Sequence, residues 1–137
     1  MTKEELTKLM LRGKGLSARA WKIRTLAKYD GEFSCYSDNC GFCYLRQYII
    51  EDCKFCPLND DSPKSCCLEW VIYNIREITE NALLMYERIQ SINVAKWVKS
   101  LKANEVHKFI EVDETMLEDE LAKLEKRIEN QERKYVS

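Results

Sequence analysis

Seven cysteines carry the chemistry this sequence offers. They fall as Cys35, Cys40, Cys43, Cys53, Cys56, Cys66 and Cys67. Two intervals are Cys-x2-Cys pairs, Cys40-Gly41-Phe42-Cys43 and Cys53-Lys54-Phe55-Cys56, with nine residues between them. Two thiolates three positions apart can point at one ion, because a short turn brings both sulfurs to one side. A second pair completes a tetrahedral four-sulfur site, which suits zinc. The expected ligands are therefore Cys40, Cys43, Cys53 and Cys56, and the expected cofactor is Zn2+. Ser62-Pro63 reads as an N-cap and first helical residue. Cys66 and Cys67 then lie in the first turns of a helix, where the macrodipole favours thiolate, and either could replace one of the four. Cys35 reads as a spare thiol. Gly41 is expected to supply a positive φ to the first turn, and Pro57 to stop any helix running through the second.

An iron–sulfur cluster is the alternative, since four thiolates hold one too, although the crowded three-cysteine run of common cluster signatures is missing. A disulfide framework fits poorly. The count is odd, the flanks are long and helical, and no apolar export segment follows Met1.

The pattern Cys-x2-Cys, a short aromatic segment, Cys-x2-Cys-Pro-Leu and a further cysteine resembles a group of small proteins of phages and mobile elements. The matching residues are Cys40 to Cys43, Cys53 to Leu58, and Cys66. The doubled Cys66-Cys67 and the extra Cys35 depart from that pattern. The resemblance implies a zinc-bound accessory protein without a defined activity, of the kind a phage or mobile element could use to inhibit a host system.

The elements that must hold such a site are helical. The chain has 137 residues, a single domain's worth, with 45% hydrophobic and 33% charged residues. No apolar run approaches the roughly 20 residues that cross a bilayer, so no membrane partner is expected. Many thiols without an export signal point to a reducing cytoplasm. The net charge of −1 excludes a strongly basic protein but conceals an uneven distribution. The expected fold is mostly α, a helical domain around a cysteine-ligated metal nucleus with a long C-terminal hairpin or coiled coil. Its parts are a basic helical stretch over 1–29, a metal-binding block over 30–67 and C-terminal helices over 68–137.

Residues 1–29 carry eight Lys or Arg against Glu4 and Glu5. Thr2-Lys3-Glu4-Glu5 fits a capping box. Leu6, Leu9 and Met10 form a short apolar face, Gly13 and Gly15 are expected to break the helix, and a second helix is expected from Ser17 to Tyr29. Lys22, Arg24 and their basic neighbours could contact phosphate. The competing reading is a helical face set against acidic residues of the same chain. Residues 30–62 reverse the sign, with Arg46 and Lys54 against seven Asp or Glu. Their six aromatics read as packing around the metal.

After Pro63 there is neither Gly nor Pro, which argues for helix to the end of the sequence. Leu68, Ile72, Ile75, Ala82, Met85, Tyr86 and Ile89 make an apolar stripe. Breaks are expected at Ser91-Ile92-Asn93, at Asn104 and at Asp113 to Thr115. Thr115 to Glu118 fits a capping box for the last helix. There Leu117, Leu121, Leu124, Ile128, Gln131 and Tyr135 follow alternating steps of four and three, a coiled-coil seam. It can fold back on the helix after Pro63 or pair with a second copy as a homodimer. The only histidine, His107, reads as structural.

No phosphate loop, nucleophile elbow or histidine metal motif is present, and all-sulfur zinc sites are usually closed to substrate. The sequence therefore reads as a binding module and not an enzyme. A protein partner is favoured over nucleic acid, because the acidic block repels a phosphate backbone.

Overall fold

The first helix, α1 (Lys3–Leu26), begins where Thr2 accepts a hydrogen bond from Glu5 N at its Oγ1, 3.1 Å. Glu4 and Glu5 place negative charge in the first turn, complementing the exposed N–H groups. The helix then runs without interruption through Gly13 and Gly15, where two separate helices were expected. Its continuity comes from packing. Leu6, Leu9, Met10, Leu16, Ala20, Trp21 and Ile23 are all buried, so the helix is gripped on several sides and the weak propensity of two glycines is overridden.

These coordinates come from a computed structural model that describes residues 2–26, 41, 42, 45, 57, 79–101 and 113–135. Among them are three further helices and no strand: α2 (Thr79–Ser91), α3 (Val94–Ser100) and α4 (Glu114–Tyr135). The mostly α expectation holds there. The cysteines, Asn104, His107 and the stripe residues Leu68, Ile72 and Ile75 lie outside the described residues.

All three helices pack on α1. On α2, Ala82, Met85 and Ile89 recur at helical spacing and are buried. The expected break at Ser91-Ile92-Asn93 is present. Asn93 caps α3 by accepting from Lys96 N at 3.0 Å, and Lys14 Nζ donates to the Ile92 carbonyl at 2.9 Å, tying this corner to α1.

The last helix starts two residues earlier than its capping box suggested. Asp113, not Thr115, is the cap, with its Oδ1 accepting from Thr115 N at 3.0 Å. Leu117, Leu121 and Leu124 are 0% exposed and Ile128 1%. The expected seam is thus buried, and among the described residues α1 is what packs against it. Within one chain these side chains are already buried, each contributing about 1.5–3 kcal/mol, so no second copy is needed to shield them. The two helices run in the same direction: Arg12 pairs with Glu125, and Arg19, seven residues on, with Glu132. In contrast, Lys14 meets Ile92 and Lys22 meets Tyr86, which sets α2 antiparallel to α1.

Candidate functional site

Gly41 and Phe42 are the two residues enclosed by Cys40 and Cys43, and the structure seats them directly on α1. A Cβ on Gly41 would stand 2.1 Å from Gly13 O, 2.6 Å from Gly13 Cα and 2.7 Å from Gly13 C. The two backbones therefore touch with no space for a side chain on Gly41. Gly13 is nearly as constrained: its own Cβ would lie 3.0 Å from Leu45 Cδ1 and 3.3 Å from Gly41 C. The need for glycine at 41 is close approach and not a left-handed turn, since Gly41, Phe42 and Leu45 all have helical backbone.

Ser17, one turn beyond Gly13, completes the seat. Its hydroxyl donates to Gly13 O at 2.9 Å and accepts from Gly41 N at 2.6 Å. The side chain is 0% exposed, so it joins the two backbones inside the core. Phe42 and Leu45 are each 1% exposed. One buried hydroxyl, one backbone contact and two buried side chains thus fix the interior of the first Cys-x2-Cys turn. Pro57, directly after the second pair, is also buried.

The expected ligands Cys40, Cys43, Cys53 and Cys56, with Cys66 and Cys67 as substitutes, lie outside the described residues. Among the described residues no three His, Cys, Asp or Glu side chains are grouped to hold a metal. The donor chemistry of the sequence, two Cys-x2-Cys pairs, fits zinc.

Two arginines of the basic stretch of α1 meet acids of α4. Arg12 Nη2 donates to Glu125 Oε2 at 3.0 Å, Arg19 lies 3.5 Å from Glu125 Oε1, and Arg19 also pairs with Glu132. Partial burial works against the Arg19 charge, but the hydrogen bond and charge of Glu132, with Glu125 and Glu129, more than offset it and raise its pKa. Lys22 Nζ stands 5.3 Å from the centre of the Tyr86 ring. The side chain of Arg24 lies outside the described residues. Where the helix starts meet, Glu5 and Glu114 share a hydrogen bond. It holds Glu5 below its ordinary pKa and pushes Glu114 above.

A cleft of about 620 Å³ opens along α1 towards α2 and the C-terminal part of α4. Leu11, Ala18 and Ile23 give its aliphatic lining, and Lys14, Arg19, Lys22 and Glu132 its charged lining. Tyr86 closes one side, its hydroxyl accepting from Gln90 Nε2 at 3.0 Å. Gly15 lies in the floor, and among the described residues no atom comes within 4 Å of where its Cβ would be. Unlike Gly13, it serves no packing contact there, although glycine in a helix interior costs about 1 kcal/mol relative to alanine.

The seat was not foreseen from the sequence. Its signal is the pair of small residues Gly13 and Ser17, four apart on one helix face, a spacing that lets another backbone approach closely. No family model, curated protein or solved structure matches this chain.

Proposed function

We propose that the chain is a non-catalytic zinc-binding accessory protein that acts by binding another protein. The observation that carries the choice of partner is the pairing of Arg12 and Arg19 with Glu125 and Glu132. These arginines stand on the basic stretch that would have served a phosphate backbone, and their charge is met by acids of α4. Acidic neighbours also remain beside them, which opposes a nucleic-acid track. Cys40, Cys43, Cys53 and Cys56 would hold the zinc, with Cys66 or Cys67 as substitutes. Bound there, zinc would cross-link the block whose first turn α1 seats through Gly41 and Phe42. The resemblance of that block to proteins of phages and mobile elements favours a host protein as the target and inhibition as the outcome.

The test is capture of partners by the full zinc-loaded chain from host-cell extract, with and without nuclease. A nuclease-resistant protein partner is expected. Capture that vanishes with nuclease, falls steeply with salt and is abolished by reversing Lys22 and Arg24 to Glu would replace this reading with a nucleic-acid-binding regulator.

A further inference from the structure

The cleft above Gly15 combines three properties that together describe a ligand. Its aliphatic lining comes from Leu11, Ala18 and Ile23. Leu11 is 51% exposed, an apolar surface open at the cleft edge. Its rim is net positive. Lys14 donates to a neutral carbonyl and Lys22 faces a neutral ring, so among the described residues neither ammonium meets a carboxylate. Arg19 is already paired, and Glu132 is the single acid in the lining. The floor is a helix backbone left bare by Gly15, at a position where a side chain would strike nothing described. A glycine that makes no packing contact among the described residues leaves room for close approach by a second chain.

We infer that this cleft is the docking site for an acidic segment of the partner protein, with an apolar side chain resting on Leu11 and Ala18 beside Gly15 and flanking carboxylates reaching Lys14 and Lys22. The inference rests on the protein-binding reading above and names its site and chemistry. The volume lies within the range of sites that take one or two side chains or a small ligand. A nucleic acid fits the lining less well. Two lysines that meet no carboxylate among the described residues give a short phosphate track, the Glu132 carboxylate repels one, and the aliphatic lining offers nothing to a sugar–phosphate chain.

The probe is a short fluorescent peptide with a central Leu-Trp pair between runs of glutamate. Two twins accompany it, one with glutamine for every glutamate and one with Ala-Ala at the centre. The full zinc-loaded chain should bind the first about tenfold more tightly than either twin. Gly15→Leu fills the floor, and Lys22→Glu reverses the rim. Each should weaken binding about tenfold or more, with circular dichroism unchanged. Equal affinity for the glutamine twin, undiminished binding by both variants, or displacement of the peptide by a tighter-binding polyuridylate would overturn the assignment. Nuclease-treated capture with Gly15→Leu separates the two levels. A partner still captured by the variant removes the cleft and leaves protein binding standing. A wild-type capture that needs nucleic acid removes both.

Discussion

Gly41→Ala should be the most damaging single-methyl substitution in the described part of this protein. The new Cβ would stand 2.1 Å from a carbonyl oxygen and 2.6 Å from a Cα of Gly13, both backbone atoms that cannot swing aside. The turn must lift away from α1. Lifting breaks the Gly41–Ser17 hydrogen bond, worth about 1 kcal/mol net. It also exposes Phe42 and Leu45, now 1% exposed, at about 1.5–3 kcal/mol each if fully released. Partial relaxation would leave a loss on the order of 3 kcal/mol, against a total stability of roughly 5–15 kcal/mol for a domain. The assay is thermal and urea unfolding of the zinc-loaded chain, with Gly15→Ala as the control. Gly41→Ala should lower the melting temperature by on the order of 10 °C, whereas Gly15→Ala should raise stability by up to about 1 kcal/mol. A Gly41→Ala protein that melts within about 2 °C of wild type would refute the seating of the Cys40–Cys43 turn on α1.

Four further outcomes are expected. Ser17→Ala leaves the Gly41 N–H buried without its acceptor and should cost about 1–3 kcal/mol in urea unfolding. Leu121→Ala empties a site that is 0% exposed and should cost about 2–5 kcal/mol, while wild type runs as a monomer in light scattering, its seam being covered by α1. A double-mutant cycle on Arg12 and Glu125 should return only about 0.5–1 kcal/mol, because both side chains are over a third exposed, at 37% and 36%, and solvent screens them. Glu114, whose folded pKa is raised by its hydrogen bond and like charge with Glu5, stabilises the fold at acid pH and loses that contribution as pH rises through its folded value. Glu5, shifted down, acts in the opposite sense and loses its contribution as pH falls. Glu114→Gln should therefore flatten the rising-pH loss in an unfolding series above the ordinary carboxylate range.

The parts of this fold that the sequence revealed are those written in local pattern. The alternating steps of four and three through Leu117, Leu121, Leu124 and Ile128 locate the buried face of α4, and Asn93 marks the start of α3. Thr2 marks the start of α1 in the same way. What the pattern cannot carry is which surface covers which. The stripe on α4 is equally suited to any apolar face, and its pairing with a parallel α1 is visible only in tertiary contacts such as Arg12 and Arg19 with Glu125 and Glu132, far apart in sequence. The glycines show the same limit. Gly13 reads as a helix breaker when seen alone, and only the approach of Gly41 reveals why a buried helix keeps it. The cysteine spacing states donor chemistry without saying what supports it, and the Gly13–Ser17 seat under the first pair is a tertiary fact. The basic stretch of α1, legible as charge, acquires its meaning only from its partners on α4.

The most direct test of the account is elemental analysis of the full chain purified without added metal or chelator. One zinc per chain, released together with titratable thiols on acid or chelator treatment, is the predicted result. Iron with matching acid-labile sulfide, or metal-free protein with its cysteines joined in disulfides, would contradict it.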